Sequence, residues 1–383
     1  MVQQRQANTA LKFSDEQAMI LDSGKDFCAN KSDTGSVRKL LDSSSGFDTN
    51  TWQEMIDLGW TGIAIPEQYG GSGLDMGAVI PLIESVGKYL LCTPLLSTTL
   101  AAQALLRGAT EQQKSHWLSK IADGSAIGTL ALLDNEDWAA TESQLQLKNT
   151  TKGLKLSGKK TMVMDAEVAD FFIVSATANG QQTLVIVESK QLPKTAIRRR
   201  VCIDETKRIY DIDFTGLMIA EDAVLTEGLS ALRDIRLLGA LLIATEAVGT
   251  TAATLDCIVD YLTTRTQFGR LIGSFQALKH PTVEILIQMD SARSLIYHAA
   301  TLLDQQDSSA PLTEDAEIAC RMAKAQATET LLFAGDRAVQ FHGGMGFTYE
   351  CDAQLYLRRS LWSQQQFGDA QHHRLHLAPL LID

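Results

Sequence analysis

The stretch Tyr261 to Gln276, YLTTRTQFGRLIGSFQ, ends a long apolar run that begins near Leu237. Helical spacing of apolar residues gives way here to a Gln267-Phe268-Gly269 turn flanked by Arg265 and Arg270, with a second pair, Phe275-Gln276, behind it. A guanidinium offers a planar fork of donors that matches a diphosphate better than a point charge does. Two readings are open at this point: a site for a phosphorylated cofactor, or a helix that ends in a solvated arginine-rich turn.

Working outward, a second helical pattern breaks at Ala338 to Phe347, AVQFHGGMGF. Gly343, Gly344 and Gly346 permit close backbone approach to a ligand, and Gln340 offers a side-chain amide just before the turn. Alone, such a cluster also serves as a helix C-cap. Toward the N-terminus, Gly59 to Leu74 reads GWTGIAIPEQYGGSGL. These three segments, in this order and at these separations, resemble the acyl-CoA dehydrogenase family of flavoproteins. The resemblance extends over nearly the whole chain.

Periodicity leads to the same fold class without the family. From Ser14 to about Leu118 apolar residues recur at three and four, as in Trp52, Met55 and Ile56, with a turn at Pro66 to Gly73. From Ala126 to Phe214 short runs alternate with turn residues: GTLALL, LQLKNTT, GLKLSGKKTMVM, ADFFIVSAT, QTLVIVES and IYDIDFTG. A period of two with β-branched enrichment predicts strands. From Leu229 long helices return, over Asp234 to Tyr261, Phe275 to Leu303 and Glu314 to Gln340. The expectation is an α+β chain: an N-terminal helical domain (1–124), a middle β-barrel or sandwich domain (125–228) and a C-terminal four-helix bundle (229–383).

Composition removes several classes of function. The 383 residues exceed the roughly 250–300 at which one core stops growing, so several packed parts are expected. A formal charge of −12 repels polyanions, and the one dense basic cluster, Arg198-Arg199-Arg200, is too short for a nucleic-acid surface and reads as a solvated loop or strand end. The six cysteines show no CxxC and no histidine at metal-ligand spacing, so no metal site is expected and a reducing, cytoplasmic compartment is. His372-His373 are adjacent and point apart on a helix. The N-terminus, MVQQRQANTALKF, has no secretory pattern, and no membrane span is expected.

The family resemblance implies FAD as cofactor, an acyl-CoA thioester as substrate and an electron-transfer flavoprotein as acceptor. It implies FAD between the middle domain and the C-terminal bundle, with the adenine end reaching a neighbouring subunit. By similarity, Arg265 holds the diphosphate, and Gln267, Phe268, Phe275 and Gln276 line the adenine half. Gln340, Phe341, His342, Gly343 and Gly344 complete that half across an interface. On the ring side the family's hydroxyl-bearing segment corresponds to Leu130 to Ala139, LALLDNEDWA, which has no hydroxyl. The triplet that covers the ring corresponds to Met162-Val163-Met164, whose thioethers accept only weakly.

The base that removes an α-proton of the thioester departs further. Phe367 stands where the family has its C-terminal Glu, and Gly239 stands at the alternative position on the preceding long helix. Two carboxylates remain as candidates. Glu246, two turns beyond Gly239 in LLGALLIATEAVG, is expected to be desolvated with a raised pKa, or else to be paired with an arginine in the bundle. Asp369 lies one residue beyond Gly368. Ala240 replaces the arginine the family uses for CoA, with Arg233 and Arg236 a turn or more away. The FGDAQHHR segment, from Phe367 to Arg374, looks most like the subfamily whose unlike subunits form α2β2 assemblies on bulky substrates such as steroid side-chain thioesters, one chain of which carries the base. Two functions follow as expectations: an acyl-CoA dehydrogenase working as a homodimer or homotetramer, or the subunit without a base in a heteromeric one.

Overall fold

The computed structural model describes residues 15–140, 142–151 and 153–382. The stretch read for a leader, Ser14 at the expected helical start, and the last residue lie outside the described residues. Helices α1 (Asp15–Lys31), α2 (Thr34–Leu41), α3 (Thr49–Asp57), α4 (Met76–Lys88), α5 (Leu95–Gly108) and α6 (Glu111–Ala122) come first. Their starts are written in the sequence. Asp33 accepts from the Ser36 N–H, Asp48 from that of Thr51, and Thr110 with Gln113 forms a reciprocal capping box.

The middle strands are β1 (Gly128–Ala131), β2 (Gln146–Thr150), β3 (Gly153–Ser157), β4 (Lys159–Met164), β5 (Phe171–Ala178), β6 (Gln181–Glu188), β7 (Ile197–Arg200), β8 (Ile209–Asp213) and β9 (Met218–Ile219). They make two sheets, one of six strands built on β5 and one of three in the order β4-β8-β7. GLKLSGKKTMVM, read as one run, is two strands in different sheets. Gly158, at φ +143°, turns the chain between them. The arginine run is strand β7, paired to β8, so the strand-end reading of Arg198 to Arg200 is the one realised. Inward residues of both sheets, among them Val163, Phe172 and Phe214, form a core of their own.

The chain then enters α7 (Gly228–Thr264), a small hairpin of β10 (Thr266–Gln267) and β11 (Arg270–Leu271), and helices α8 (Gln276–Asp304), α9 (Glu314–Phe341), α10 (Ala353–Gln365) and α11 (Ala370–Ile382). Helices α7 to α10 pack as the expected bundle, and α11 lies on α9. By length and composition α7 would cross a membrane, but 94% of its most apolar stretch is buried in the protein. It is the common wall of the molecule, packed on α4, α5, α8, α9 and α10. Its crossing with α4 is backbone on backbone. A Cβ on Gly87 would sit 2.1 Å from the Glu246 carbonyl oxygen, and one on Gly249 would sit 1.9 Å from that of Glu84. Only glycine allows so close a crossing.

Candidate cofactor and active site

The structure separates the anticipated site residues into two places. Arg265, Gln267, Phe268, Phe275, Phe341, His342, Gly343 and Gly344 surround one open groove of about 750 Å³. Gln276 and Gln340 lie exposed on the helix ends beside it, outside its lining. The hairpin sets the groove's edge. Phe268 and Gly269 both adopt positive φ (+53° and +76°) in its two-residue loop, which leaves the Phe268 ring 91% exposed at the tip. Phe275 meets Phe268 edge to face at 6.0 Å and carries the Arg270 guanidinium 4.0 Å above its ring. Across the groove, His342 stacks on Tyr261 at 4.1 Å and donates from Nδ1 to the Ala338 carbonyl.

Two observations fit this groove to an adenine nucleotide. Among the described residues Arg265 has no carboxylate partner. A Cβ built on Gly269, Gly343 or Gly344 meets nothing within 4 Å, so the backbone there faces open space that a phosphate can fill. When bound there, FAD would be held by Arg265 and the Gly343-Gly344 backbone, with Phe268 and Phe275 beside its base.

The ring side does not fit. Val163 is 1% exposed and points into the β core, so its side chain reaches no ligand. Met162, at φ +55°, and Met164 are half-buried and pack on the main core. The loop after β1, whose first part up to Ala139 has no hydroxyl, is fixed from below by Lys160, wholly buried, which donates to the Leu132 carbonyl, Asp134, Ser143 and Ser175. Burial pushes the Lys160 pKa down to about 8. That loop delivers Trp138, whose ring lies 4.4 Å from the Phe367 ring. Phe367 in turn packs on Gly239, where an added Cβ would lie 2.3 Å from the Phe367 Cε1. The two positions at which the family carries its base are thus in contact with each other, and an aromatic pair fills them.

Both surviving carboxylates have other work. Glu246 is 1% exposed and accepts from Lys207 Nζ at 2.6 Å and Arg359 Nη1 at 3.0 Å. Arg359 also binds Asp204 and Thr206. Burial pushes the Glu246 pKa up, but Arg359 and Lys207 outweigh it and hold the carboxyl below its usual range. The raised pKa expected of a base is therefore corrected, and the arginine-paired alternative holds. The partners come from 39 and 113 residues away, on the middle domain and on α10. Asp369 Oδ1 accepts from the His372 N–H at 2.7 Å and so caps α11. The cap gives Asp369 a structural task, with Oδ1 engaged by a backbone donor.

Several residues in this region escaped the sequence reading. Trp138 sat in plain view in LALLDNEDWA, a stretch read only for hydroxyls. Lys160 occupies an inward position of a strand, where a lysine needs several buried acceptors. Lys324, wholly buried in α9, donates to the carbonyls of Ser363, Gln364 and Gly368, and so clamps the turn that presents Phe367 at φ +56°.

Comparison with known proteins gives the family. Residues 14–125 match the acyl-CoA dehydrogenase N-terminal domain and residues 227–381 the acyl-CoA dehydrogenase C-terminal domain. Acyl-CoA dehydrogenase IpdE2 of Mycobacterium tuberculosis is 30% identical over 352 residues, covering 92% of this chain and 92% of its own. The Mycolicibacterium smegmatis protein of that name is 28% identical, covering 93% and 96%. A chain of the solved ChsE4-ChsE5 complex of Mycobacterium tuberculosis superposes with a TM-score of 0.87 at 21% identity, covering 98% of this chain and 99% of its own.

Proposed function

This chain belongs to the acyl-CoA dehydrogenase family, and from that premise we propose that it is the subunit without a catalytic base in a heteromeric acyl-CoA dehydrogenase. Its cofactor is FAD, as throughout the family. Paired as α2β2 with a homologous chain that carries a glutamate, it supplies the Arg265 groove to the adenine and diphosphate end of FAD. The assembly oxidises an acyl-CoA thioester between Cα and Cβ, on a bulky, steroid-type acyl group, and an electron-transfer flavoprotein takes the electrons. The cytoplasm is its proposed setting.

One observation carries this reading: Phe367 rests on Gly239 and Trp138, so no carboxylate stands at either base position. A phenyl ring takes no proton. When bound, FAD would accept the hydride that leaves Cβ. This chain's own residues have narrower tasks. Arg265 neutralises phosphate charge at an interface of an acidic protein, the glycines let backbone donors approach it, and Phe268 and Phe275 exclude water from the base.

Purifying the chain with and without a base-bearing homologue tests the proposal through the visible spectrum. The expected result is little or no flavin on the chain alone, and a yellow complex that bleaches on adding acyl-CoA. Bleaching of the chain alone by acyl-CoA would overturn it and restore the reading of an enzyme complete in one chain.

A further inference from the structure

Beside the aromatic pair lies a second cavity, of about 240 Å³, separate from the Arg265 groove. Trp138, Phe367 and Leu229, Leu232 and Leu237 give it apolar walls, and Arg236 stands in its side. Arg236 is partly buried, donates from Nη2 to the Ala140 carbonyl, and has a buried Nε–H with no acceptor. Among the described residues no carboxylate pairs with it, whereas its neighbours Arg233 and Arg321 share Glu317. His373, 2% exposed in the same wall, donates from Nε2 to the Phe367 carbonyl and leaves Nδ1 without a partner. Burial, with Lys324 and Arg321 nearby, holds the His373 pKa down at about 2, so the wall is positive without it. A partly buried guanidinium with no counter-ion is unfavourable, and a cavity beside it is where the counter-ion belongs.

We propose that this cavity is a binding site for a small amphipathic carboxylic acid, its carboxylate on Arg236 and its apolar body against Leu232, Leu237 and the Trp138–Phe367 pair. The inference rests on the reading that Phe367 closes the reaction site, since the same ring forms the cavity's floor. Its volume of about 240 Å³ suits a small free acid. This is binding alone: the site takes up the acid and releases it unchanged. The site would let a free acid report its level to an assembly that consumes the corresponding thioester.

Titration calorimetry on the full chain in its complex, with hexanoate as probe, tests this. Saturable binding is expected, with hexanamide at least tenfold weaker and inorganic phosphate not competing. Arg236→Met should lose tenfold or more in hexanoate affinity. It should also unfold at a temperature equal to or above that of the unsubstituted protein, because it removes an unpaired charge, so a loss of binding cannot be put down to a loss of fold. No saturable binding, equal binding of hexanamide, competition by phosphate at equal strength, displacement by hexanoyl-CoA, or unchanged affinity in R236M would each overturn the proposal. Turnover by the chain alone would sink the subunit reading instead, and the spectral test reads that separately.

Discussion

The groove beside Arg265 and the site around Phe367 are built on opposite plans. In the groove, Arg265 has no carboxylate partner among the described residues, the Phe268 ring is exposed and glycine backbones face open space. At Phe367 the base positions are closed: the glycine position is occupied by a ring, the nearby carboxylates are paired or capping, and the turn is clamped by Lys324, with Arg236 and its cavity to one side. Selection for self-sufficient catalysis would keep both open. A chain that keeps only the distal half has the chemistry of a donor of contacts, and the two halves can therefore be attacked independently.

The largest effect is expected from Glu246→Gln, because removing one partner of a buried ion pair leaves Lys207 and Arg359 without full compensation. Unfolding free energy should fall by about 3–5 kcal/mol by denaturant titration, while turnover of whatever complex still assembles stays unchanged. Slowed turnover with unchanged stability would return Glu246 to the role of base. Phe367→Ala comes next. It deletes a packed ring, and a loss of about 3 kcal/mol is expected, near the low end for Phe→Ala, because Trp138 borders the vacated space and can relax into it. FAD content of the complex should not change, and a fall in it would join the two regions that the comparison separates.

Arg265→Ala addresses the open side. The residue is exposed, so stability should move by no more than about 0.5 kcal/mol. Loss of a charge-assisted contact of about 1.5–3 kcal/mol should weaken FAD binding by roughly tenfold to a hundredfold in dialysis of the complex. Arg265→Lys should recover part of it, since the bidentate fork is gone. Full flavin retention in R265A would close the groove as a cofactor site. The smallest effect concerns pH. His372 is half-buried beside the plugged site, where burial and then His376 and Arg321 hold its pKa down to about 4. The unfolded chain takes up that proton near 6.5 and the folded one does not, so stability is lost as pH falls from 6.5 toward 4. His372→Gln should flatten this part of a melting-temperature profile, and an unaltered slope would mean the histidine is already charged in the fold.

Much of this division was legible in the sequence. Change of hydrophobic period located helices, strands and helices, and the groove residues announced themselves because binding sites at helix ends use local motifs, such as the QFG turn and the double glycine. The emptiness of the base positions was equally readable, as Phe367 and Gly239. What the sequence could not reveal was that these two touch, because the contact joins a helix to a turn far along the chain. Glu246 could be read as either base or ion-pair partner, and only Lys207 and Arg359, brought in by tertiary packing, decide between them. Trp138 was hidden by the question asked of its segment, and the lack of a counter-ion at Arg236 is a property of three-dimensional neighbours that no spacing encodes.

The Phe268 ring at the tip of the hairpin carries a consequence for the life of the protein outside its complex. A lone subunit displays that ring together with Phe347, Ile287 and Met345, all more than half exposed. Such side chains are what holdase chaperones and quality-control proteases recognise, and they also favour self-association. On the proposed heteromeric reading, an excess of this chain over its partner would be unstable in supply, and a two-residue turn would set a need for balanced synthesis of the two subunits.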